Sequence, residues 1–254
     1  MALAQCVFYS KALEMDTCVN VILPNTGDLS KAKVVYLLHG LSDNYSAWLR
    51  YTAVERYANS FGAAVIMPEV QRSFYCDTVS GMAYFRYISQ ELPQLCQHFF
   101  SVSKDPSRTY IMGLSMGGFG ALKCALTYPE NYAGCGSFSG ALRMDDAILH
   151  NVLKGEELEA MVGKSRTAGE ENDLFRLAER EGKYPKLYLS CGEQDRLYPV
   201  NVEFVNHLAD LGIACRFDHR EGNHSWDFWD QSLKDCFAHL LDEENKPCAP
   251  FAFT

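Results

Sequence analysis

Positive charge is the scarcer kind in this chain: 23 lysines and arginines stand against 32 aspartates and glutamates, a net charge of −9. No cluster of lysine or arginine overrules that balance, so nucleic acid is not an expected partner. Acidity of this size serves solubility and says little about a substrate. Long apolar runs are missing too. Nothing approaches the roughly eighteen residues of a membrane span, and no membrane partner is expected. Met1–Ser10 has neither a basic start nor a long apolar stretch, so no export signal is expected. The ten cysteines include no C-x-x-C pair. Scattered through strands and helices, they read as small apolar residues of a reduced, cytoplasmic protein rather than as a disulfide framework.

Metal and cofactor signatures are equally sparse. His219 and His224 stand five apart without the glutamate pattern of a zinc helix, and the cysteines lack ligand spacing. Gly113–Gly120 is glycine-rich, but no lysine follows as in a phosphate loop, and its glycine spacing is not that of a dinucleotide fingerprint. No metal and no cofactor are expected.

What the chain does contain is an ordinary soluble balance, 48% hydrophobic and 22% charged over 254 residues. There is no composition shift and no internal repeat, so residues 1–254 are expected to form a single domain. Two short strands, Val7–Ser10 and Thr17–Leu23, read as a hairpin at a sheet edge, with Pro24-Asn25-Thr26-Gly27 as a turn cluster. Lys33–Leu38 is a near-continuous apolar run, as a strand covered on both faces requires. Helical spacing over Ala47–Phe61 leads to the strand Ala63–Met67. Glu69–Gly81, aromatic and polar without a period, reads as a loop over the strand ends.

Tyr84–Phe100 is helical, with Pro93 kinking or dividing it. The strand Tyr110–Leu114, a helix from about Gly117 to Tyr128 and the strand Tyr132–Ser139 follow. Ala141–Lys183 is charged and helical only in patches (Glu156–Val162, Asn172–Glu181), a variable, cap-like segment. Strands Lys186–Ser190 and Ile213–His219 alternate with helices Val200–Leu211 and Trp226–Leu241, and the tail from Asp242 reads as irregular. The fold class is α/β: a mostly parallel central sheet of about eight strands, with helices on both faces.

Chemistry is concentrated at Gly113-Leu114-Ser115-Met116-Gly117, a G-x-S-x-G bend between a buried strand and a helix. Glycines on either side remove the side chains that would clash in so tight a turn, which pushes the serine hydroxyl out above the sheet edge. A serine needs a base, and the base needs an acid to fix its tautomer; in such a sheet they follow in the order serine, acid, histidine. After Lys186–Ser190 comes Cys191-Gly192-Glu193-Gln194-Asp195, where Asp195 and Glu193 both qualify. Asp195 is preferred because its displacement from the strand lets it turn back toward the site; its alternative use is as a turn or helix-capping residue. Of seven histidines only His219 and His224 lie at the end of the last strand. His219 falls inside the strand, whereas His224, in Gly222-Asn223-His224-Ser225-Trp226, is on the loop and is the expected base. An oxyanion hole needs two backbone N–H groups. Met116, just after the serine, and Leu41, in the His39-Gly40-Leu41 turn, are the candidates, with His39 supporting that loop.

With Leu37-Leu38-His39-Gly40-Leu41, Gly113-Leu114-Ser115-Met116-Gly117-Gly118-Phe119-Gly120-Ala121 and Asn223-His224-Ser225-Trp226 in view, the sequence resembles the esterase D-like group of α/β-hydrolases. Within it the chain is most similar to small bacterial tributyrin esterases, relatives of S-formylglutathione hydrolases, feruloyl and acetyl esterases and the mycolyltransferase antigens. The resemblance implies the α/β-hydrolase fold and a serine carboxylesterase for short acyl chains, with Ser115, Asp195 and His224 as triad and Leu41 and Met116 as oxyanion donors. The expected partner is a small-molecule ester. Alternatives are a feruloyl or acetyl-xylan esterase, for which Phe74-Tyr75 and Tyr84-Phe85 could line a phenolic pocket, an S-formylglutathione thioesterase, an acyltransferase, and a binding protein without activity. A homo-oligomer is compatible with the Pro250-Phe251-Ala252-Phe253 tail, which could dock on a second subunit or on its own surface.

Overall fold

A computed structural model describes residues 1–25, 28–144, 153–163 and 169–242. Its frame is one eight-stranded sheet. The strands are β1 (Ala2–Ser10), β2 (Met15–Leu23), β3 (Lys33–Leu38), β4 (Ala63–Pro68), β5 (Thr109–Leu114), β6 (Gly134–Phe138), β7 (Lys186–Gly192) and β8 (Cys215–Arg220). Across the sheet they run β1-β2-β4-β3-β5-β6-β7-β8. The hairpin β1–β2 and the pair β2–β4 are antiparallel, and every pair from β4–β3 to β7–β8 is parallel. The expected edge hairpin and mostly parallel sheet are what the chain forms. Both hairpin strands are longer than their apolar alternation alone indicates, because nine residue pairs extend the ladder outward to Ala2.

Each central strand feeds two cores, as its two-residue period requires. Val34, Tyr36 and Leu38 of β3 pack on one side with Ile111, while Val35 and Leu37 pack on the other with Tyr110, Met112 and Leu114. The second side is covered by α1 (Ala47–Tyr51), α2 (Val54–Phe61) and, from the chain's end, a helix over Trp226–Leu241. The expected continuous helix Ala47–Phe61 is two helices. At the break, the Thr52 hydroxyl bonds back to the Trp48 carbonyl and accepts from the Val54 N–H, while Asp230 accepts from the Ala53 N–H. On the first side lie α3 (Tyr84–Arg86), α4 (Leu92–Phe100) and α5 (Met116–Thr127). Pro93 does not divide the Tyr84–Phe100 path. A π-helical turn over Tyr87–Glu91 joins α3 to α4 immediately before it, which absorbs the proline's missing donor. Glu91 in that turn accepts from the Ser10 hydroxyl and from the Lys11 and Ala12 N–H groups, fastening the β1–β2 turn to the helix.

Within 141–183 the described α-helices are α6 (Gly155–Val162) and α7 (Leu174–Ala178); residues 145–152 and 164–168 lie outside the described residues, as do the turn residues Thr26-Gly27 and the tail 243–254. α7 packs on α5, and Lys123 of α5 is wholly buried beneath this segment. Its ammonium donates to Asn172 Oδ1 at 2.6 Å and to the Tyr75 carbonyl at 3.2 Å, and lies 4.2 Å from the Phe85 ring. A buried cation survives only with partners of this kind. Two further helices, α8 (Tyr198–Asp210) and α9 (Trp226–Leu241), frame β8. Among the described residues no helix is long and apolar enough to cross a membrane, and the nine described cysteines are free.

α5 differs from an ordinary surface helix. Every residue from Met116 to Leu126 is buried, because the helix is sunk against the sheet. A Cβ on Gly117 would come within 2.5 Å of the Leu38 carbonyl oxygen, so helix and strand meet backbone to backbone there. Gly117→Ala is expected to destabilise the protein by about 1–3 kcal/mol through overpacking, read as a lower urea midpoint at unchanged slope.

Candidate active site

Ser115 sits between the last residue of β5 and the first of α5 with φ 52° and ψ −115°, a backbone state that a residue with a side chain rarely adopts. Two kinds of contact hold it there. The turn closes on glycine, since a Cβ on Gly113 would lie 2.4 Å from the Gly117 carbonyl oxygen. The end of β6 then clamps the serine's peptide groups. Its N–H donates to the Phe138 carbonyl at 2.8 Å, and its carbonyl accepts from the Ala141 N–H at 3.1 Å. The hydroxyl is thereby held at the sheet's edge with the N-terminus of α5 behind it.

Asp195 and His224 reach the serine because the loops after β7 and β8 run against each other. A Cβ on Gly192 would lie 2.3 Å from the Gly222 carbonyl oxygen, and Gln194 brackets Gly222, its N–H donating to that carbonyl at 3.0 Å and its side-chain oxygen accepting the Gly222 N–H at 2.7 Å. His224 Nδ1 lies 2.8 Å from Asp195 Oδ2, and its Nε2 lies 3.1 Å from Ser115 Oγ. A carboxylate can only accept, so the neutral ring carries its proton on Nδ1 and offers the Nε2 lone pair to the serine hydroxyl. Asp195 also serves as the turn residue it resembles in sequence: Oδ1 accepts from the Leu197 N–H at 2.9 Å.

The rival acid and the rival histidine pair with each other instead. Glu193 Oε1 is 3.0 Å from His219 Nδ1, both side chains are exposed, and neither belongs to the Ser115 group.

Burial acts to raise the Asp195 carboxyl, yet it is held below the ordinary carboxylate value. The bond and charge of His224, the Leu197 N–H and the Ser139 hydroxyl together outweigh burial. Asp43 goes the other way: burial pushes it above its ordinary value, against the opposing pull of His39, the Gly40 N–H and His224.

Leu41 lies in the cavity wall and Met116 is the buried first residue of α5, so both sequence candidates for backbone donors flank Ser115. The Leu41 loop is tightly built. Gly40 N–H donates to Asp43 Oδ2 at 3.2 Å, and a Cβ on Gly40 would meet Leu114 Cδ1 at 2.6 Å. His39 is buried beneath it. The Val70 N–H donates to its Nε2, which leaves Nδ1 to donate to the Gly40 carbonyl at 2.8 Å, the loop-supporting role its position suggests.

The cavity above Ser115 has a volume of about 420 Å³. Leu114, Ala141, Leu197, Phe74, Trp226 and Trp229 give it apolar walls, with Arg72, Arg196 and Asp43 as its charges. Of the aromatic pairs singled out in the sequence, only Phe74 lines this cavity; Tyr75 and Tyr84 are buried in the core. Sequence reasoning missed Ser139, Trp229 and Asp43. Trp229 is one turn along a helix that otherwise reads as amphipathic, and nothing local marks Ser139. Among the described residues no group of three or more histidine, cysteine, aspartate or glutamate side chains is arranged to hold a metal ion.

Comparison with known proteins adds to this geometry. Residues 10–240 match the model of the Esterase family. An acetyl esterase from Caldicellulosiruptor saccharolyticus is 31% identical, over 93% of this chain and 97% of that protein. FphF, a fluorophosphonate-binding serine hydrolase of Staphylococcus aureus solved with substrate bound, superposes with a TM-score of 0.88 at 31% identity, covering 95% of this chain and 99% of that one. The S-formylglutathione hydrolase FrmB from Staphylococcus aureus does so with a TM-score of 0.87, at the same identity and coverage.

The depressed Asp195 carboxyl has a measurable consequence. A carboxylate whose folded pKa is below its unfolded value of about 3.9 contributes stability fully above that value, and the contribution is lost as pH falls through it toward the folded pKa. The stability difference between wild type and Asp195→Asn, from urea unfolding at a series of pH values, is expected to be flat above about pH 5 and to shrink below about pH 4.

Proposed function

We propose that this chain, which belongs to the Esterase family and is an esterase D-like α/β-hydrolase, is a serine carboxylesterase that cleaves short-chain acyl esters through an acyl-Ser115 intermediate. The observation that carries the proposal is the continuous hydrogen-bonded path from Asp195 through His224 to Ser115, opening into a cavity. In this reading His224 Nε2 takes the Ser115 proton as Oγ adds to the ester carbonyl. The developing oxyanion is received by the N–H groups of Leu41 and Met116, with the α5 N-terminus behind them. His224, now cationic and held by ionised Asp195, returns the proton to the departing alcohol. A water, deprotonated by the same nitrogen, then releases the acid and restores the serine. The oxyanion donors act through backbone, so their placement rests on Gly40 and on the Ser115 turn.

Cavity size supports the short acyl chain. About 420 Å³ is near the small end of ligand cavities, and the bulky rings of Phe74, Trp226 and Trp229 take up its walls. Across a series of p-nitrophenyl esters, kcat/KM is expected to be highest at acetyl to butyryl and to fall for longer chains. Ser115→Ala should lower turnover of the best ester on the order of 10⁴-fold or more and abolish fluorophosphonate labelling. A variant with near-normal rates would sink the proposal.

A second reading, thioester hydrolysis with a carboxylate-bearing leaving group such as glutathione, is favoured by one observation. In a chain of net charge −9, two guanidinium groups border the cavity. Arg72 is engaged by Glu157 of α6, at 2.7 and 3.1 Å, whereas Arg196 forms no ion pair or hydrogen bond among the described residues. Asp43 is the opposing charge, and its Oδ2 is engaged by the Gly40 N–H. Arg196→Gln is expected to lower the ratio of kcat/KM for S-formylglutathione over that for a neutral formyl thioester roughly five- to tenfold. An unchanged ratio would remove Arg196 from substrate recognition.

A further inference from the structure

The chain's three tryptophans, Trp48, Trp226 and Trp229, form one cluster beside the Ser115 cavity, with Trp48–Trp226 and Trp226–Trp229 centroid distances of 5.3 Å and nearly perpendicular rings. Trp229 is the member that touches the reacting groups. Its ring stands at 90° to the His224 imidazole with centroids 4.8 Å apart. Its indole N–H, buried, donates to Ser139 Oγ at 3.1 Å.

Ser139 belongs to the segment that clamps the nucleophile. Phe138 on one side accepts the Ser115 N–H, and Ala141, two residues on, donates to the Ser115 carbonyl. Between them Ser139 is wholly buried and takes φ 47°, a conformation usually left to glycine. Its N–H donates to the Ser190 carbonyl at 2.7 Å, on the strand that leads to Asp195. Glycine would relieve the backbone at this position, yet a serine stands there. The hydroxyl is what glycine lacks. It gives the Trp229 indole an acceptor, and it is among the groups that lower the Asp195 carboxyl against the effect of burial.

We propose that the Trp229–Ser139 hydrogen bond is a positioning brace, tying the ring that packs against His224 to the peptide segment that holds Ser115. Neither residue reacts. The brace fixes the imidazole's tilt and distance relative to Ser115 Oγ, a geometry that a histidine on a loop before a helix does not secure by itself. Misplacement of a base by a fraction of an ångström is costly because proton transfer and attack occur together. The brace acts on the chemical step and not on substrate capture, so its removal should appear in kcat.

This inference rests on the proposed esterase chemistry, and its test keeps the two apart. Trp229→Phe retains an aromatic ring beside His224 and deletes the donor, together with part of the ring that lines the cavity. Ser139→Gly deletes the acceptor while suiting the backbone, so that a loss cannot be assigned to strain. Each is expected to lower kcat for the best p-nitrophenyl ester about tenfold and to slow fluorophosphonate labelling of Ser115 in proportion, with KM within twofold in Ser139→Gly, which leaves the cavity lining intact. Since either substitution breaks the shared Trp229–Ser139 bond, and Ser139→Gly also removes the hydroxyl that acts on Asp195, the double variant should lose no more than about twofold beyond the worse single variant. Wild-type kcat in Ser139→Gly would overturn the brace, as would losses that multiply in the double variant. If Ser139→Gly is folded by urea titration and only KM changes, the brace is likewise rejected. Failure of the wild-type protein to label at all would instead reject the esterase reading.

Discussion

The structure depends on one local constraint: a serine must be held at positive φ between a strand and a helix that are in van der Waals contact. Backbone in this state is unfavourable by itself, on the order of 1–3 kcal/mol, and persists only where the surroundings over-determine it. Here they do so from the strands on either side of β5. β3 presents the Leu38 carbonyl to Gly117, and β6 supplies a donor and an acceptor to the Ser115 peptide. β5 must therefore lie between those two strands, and it does. The full burial of α5 follows from the same requirement. A helix that begins on the strand's own backbone has no face left for solvent once α7 and the Lys123–Asn172 contact cover its outer side.

Asp195 and His224 obey a second, looser constraint, the spacing of two neighbouring loops. Glycines at 192 and 222 let those loops approach until their backbones bond, and the acid and base are carried on the residues that follow. Buried charge then sets the chemistry. Asp195 is only 4% exposed, and burial acts to raise its carboxyl, but His224, the Leu197 N–H and Ser139 outweigh burial and hold it below its ordinary value. Holding it ionised is what would let His224 accept a proton from so weak an acid as a serine hydroxyl.

How much of this was legible follows from which interactions are local. The G-x-S-x-G bend, the apolar strands around it and the order serine, acid, histidine are written in adjacent residues, so Ser115, Asp195 and His224 could be named before any fold was in view. β3 and α9 come out with the expected bounds because their patterns are strong and end abruptly at His39 and after Leu241. The choice of Asp195 over Glu193 needed only displacement from the strand, although the reason Glu193 fails, its pairing with His219, is a contact between two separate strands' ends. The break at Thr52 and the π-helical turn before Pro93 were hidden because each is fixed by a hydrogen bond or a missing donor within a single turn, which apolar periodicity does not register. Ser139 and Trp229 were illegible for another reason. Ninety residues separate the two partners of one hydrogen bond, and neither sits in a motif.

In the proposed reading, chemistry and selectivity are carried by different kinds of contact, which is why the family resemblance resolves the reaction class and not the substrate. Ser115, Asp195, His224 and the Gly40 loop are placed by backbone hydrogen bonds at strand ends, where a shift of register would disturb the sheet itself. The cavity's outer wall is fastened more weakly. α6 meets the loop after β4 through Arg72 and Glu157, side chains 44% and 29% exposed, and an ion pair so open to solvent contributes about 0–1 kcal/mol. Substitutions in that wall can therefore alter cavity shape or charge at little cost to stability. The Asp195 end of the relay has no such latitude, since loss of its partners leaves a carboxylate unpaired at 4% exposure. An acetyl esterase and an S-formylglutathione hydrolase, each 31% identical to this chain, differ in substrate at that distance. Arg196 lies where the two regimes meet: its neighbour Asp195 is locked into the relay, while its own guanidinium extends from the rim with no ion pair or hydrogen bond among the described residues.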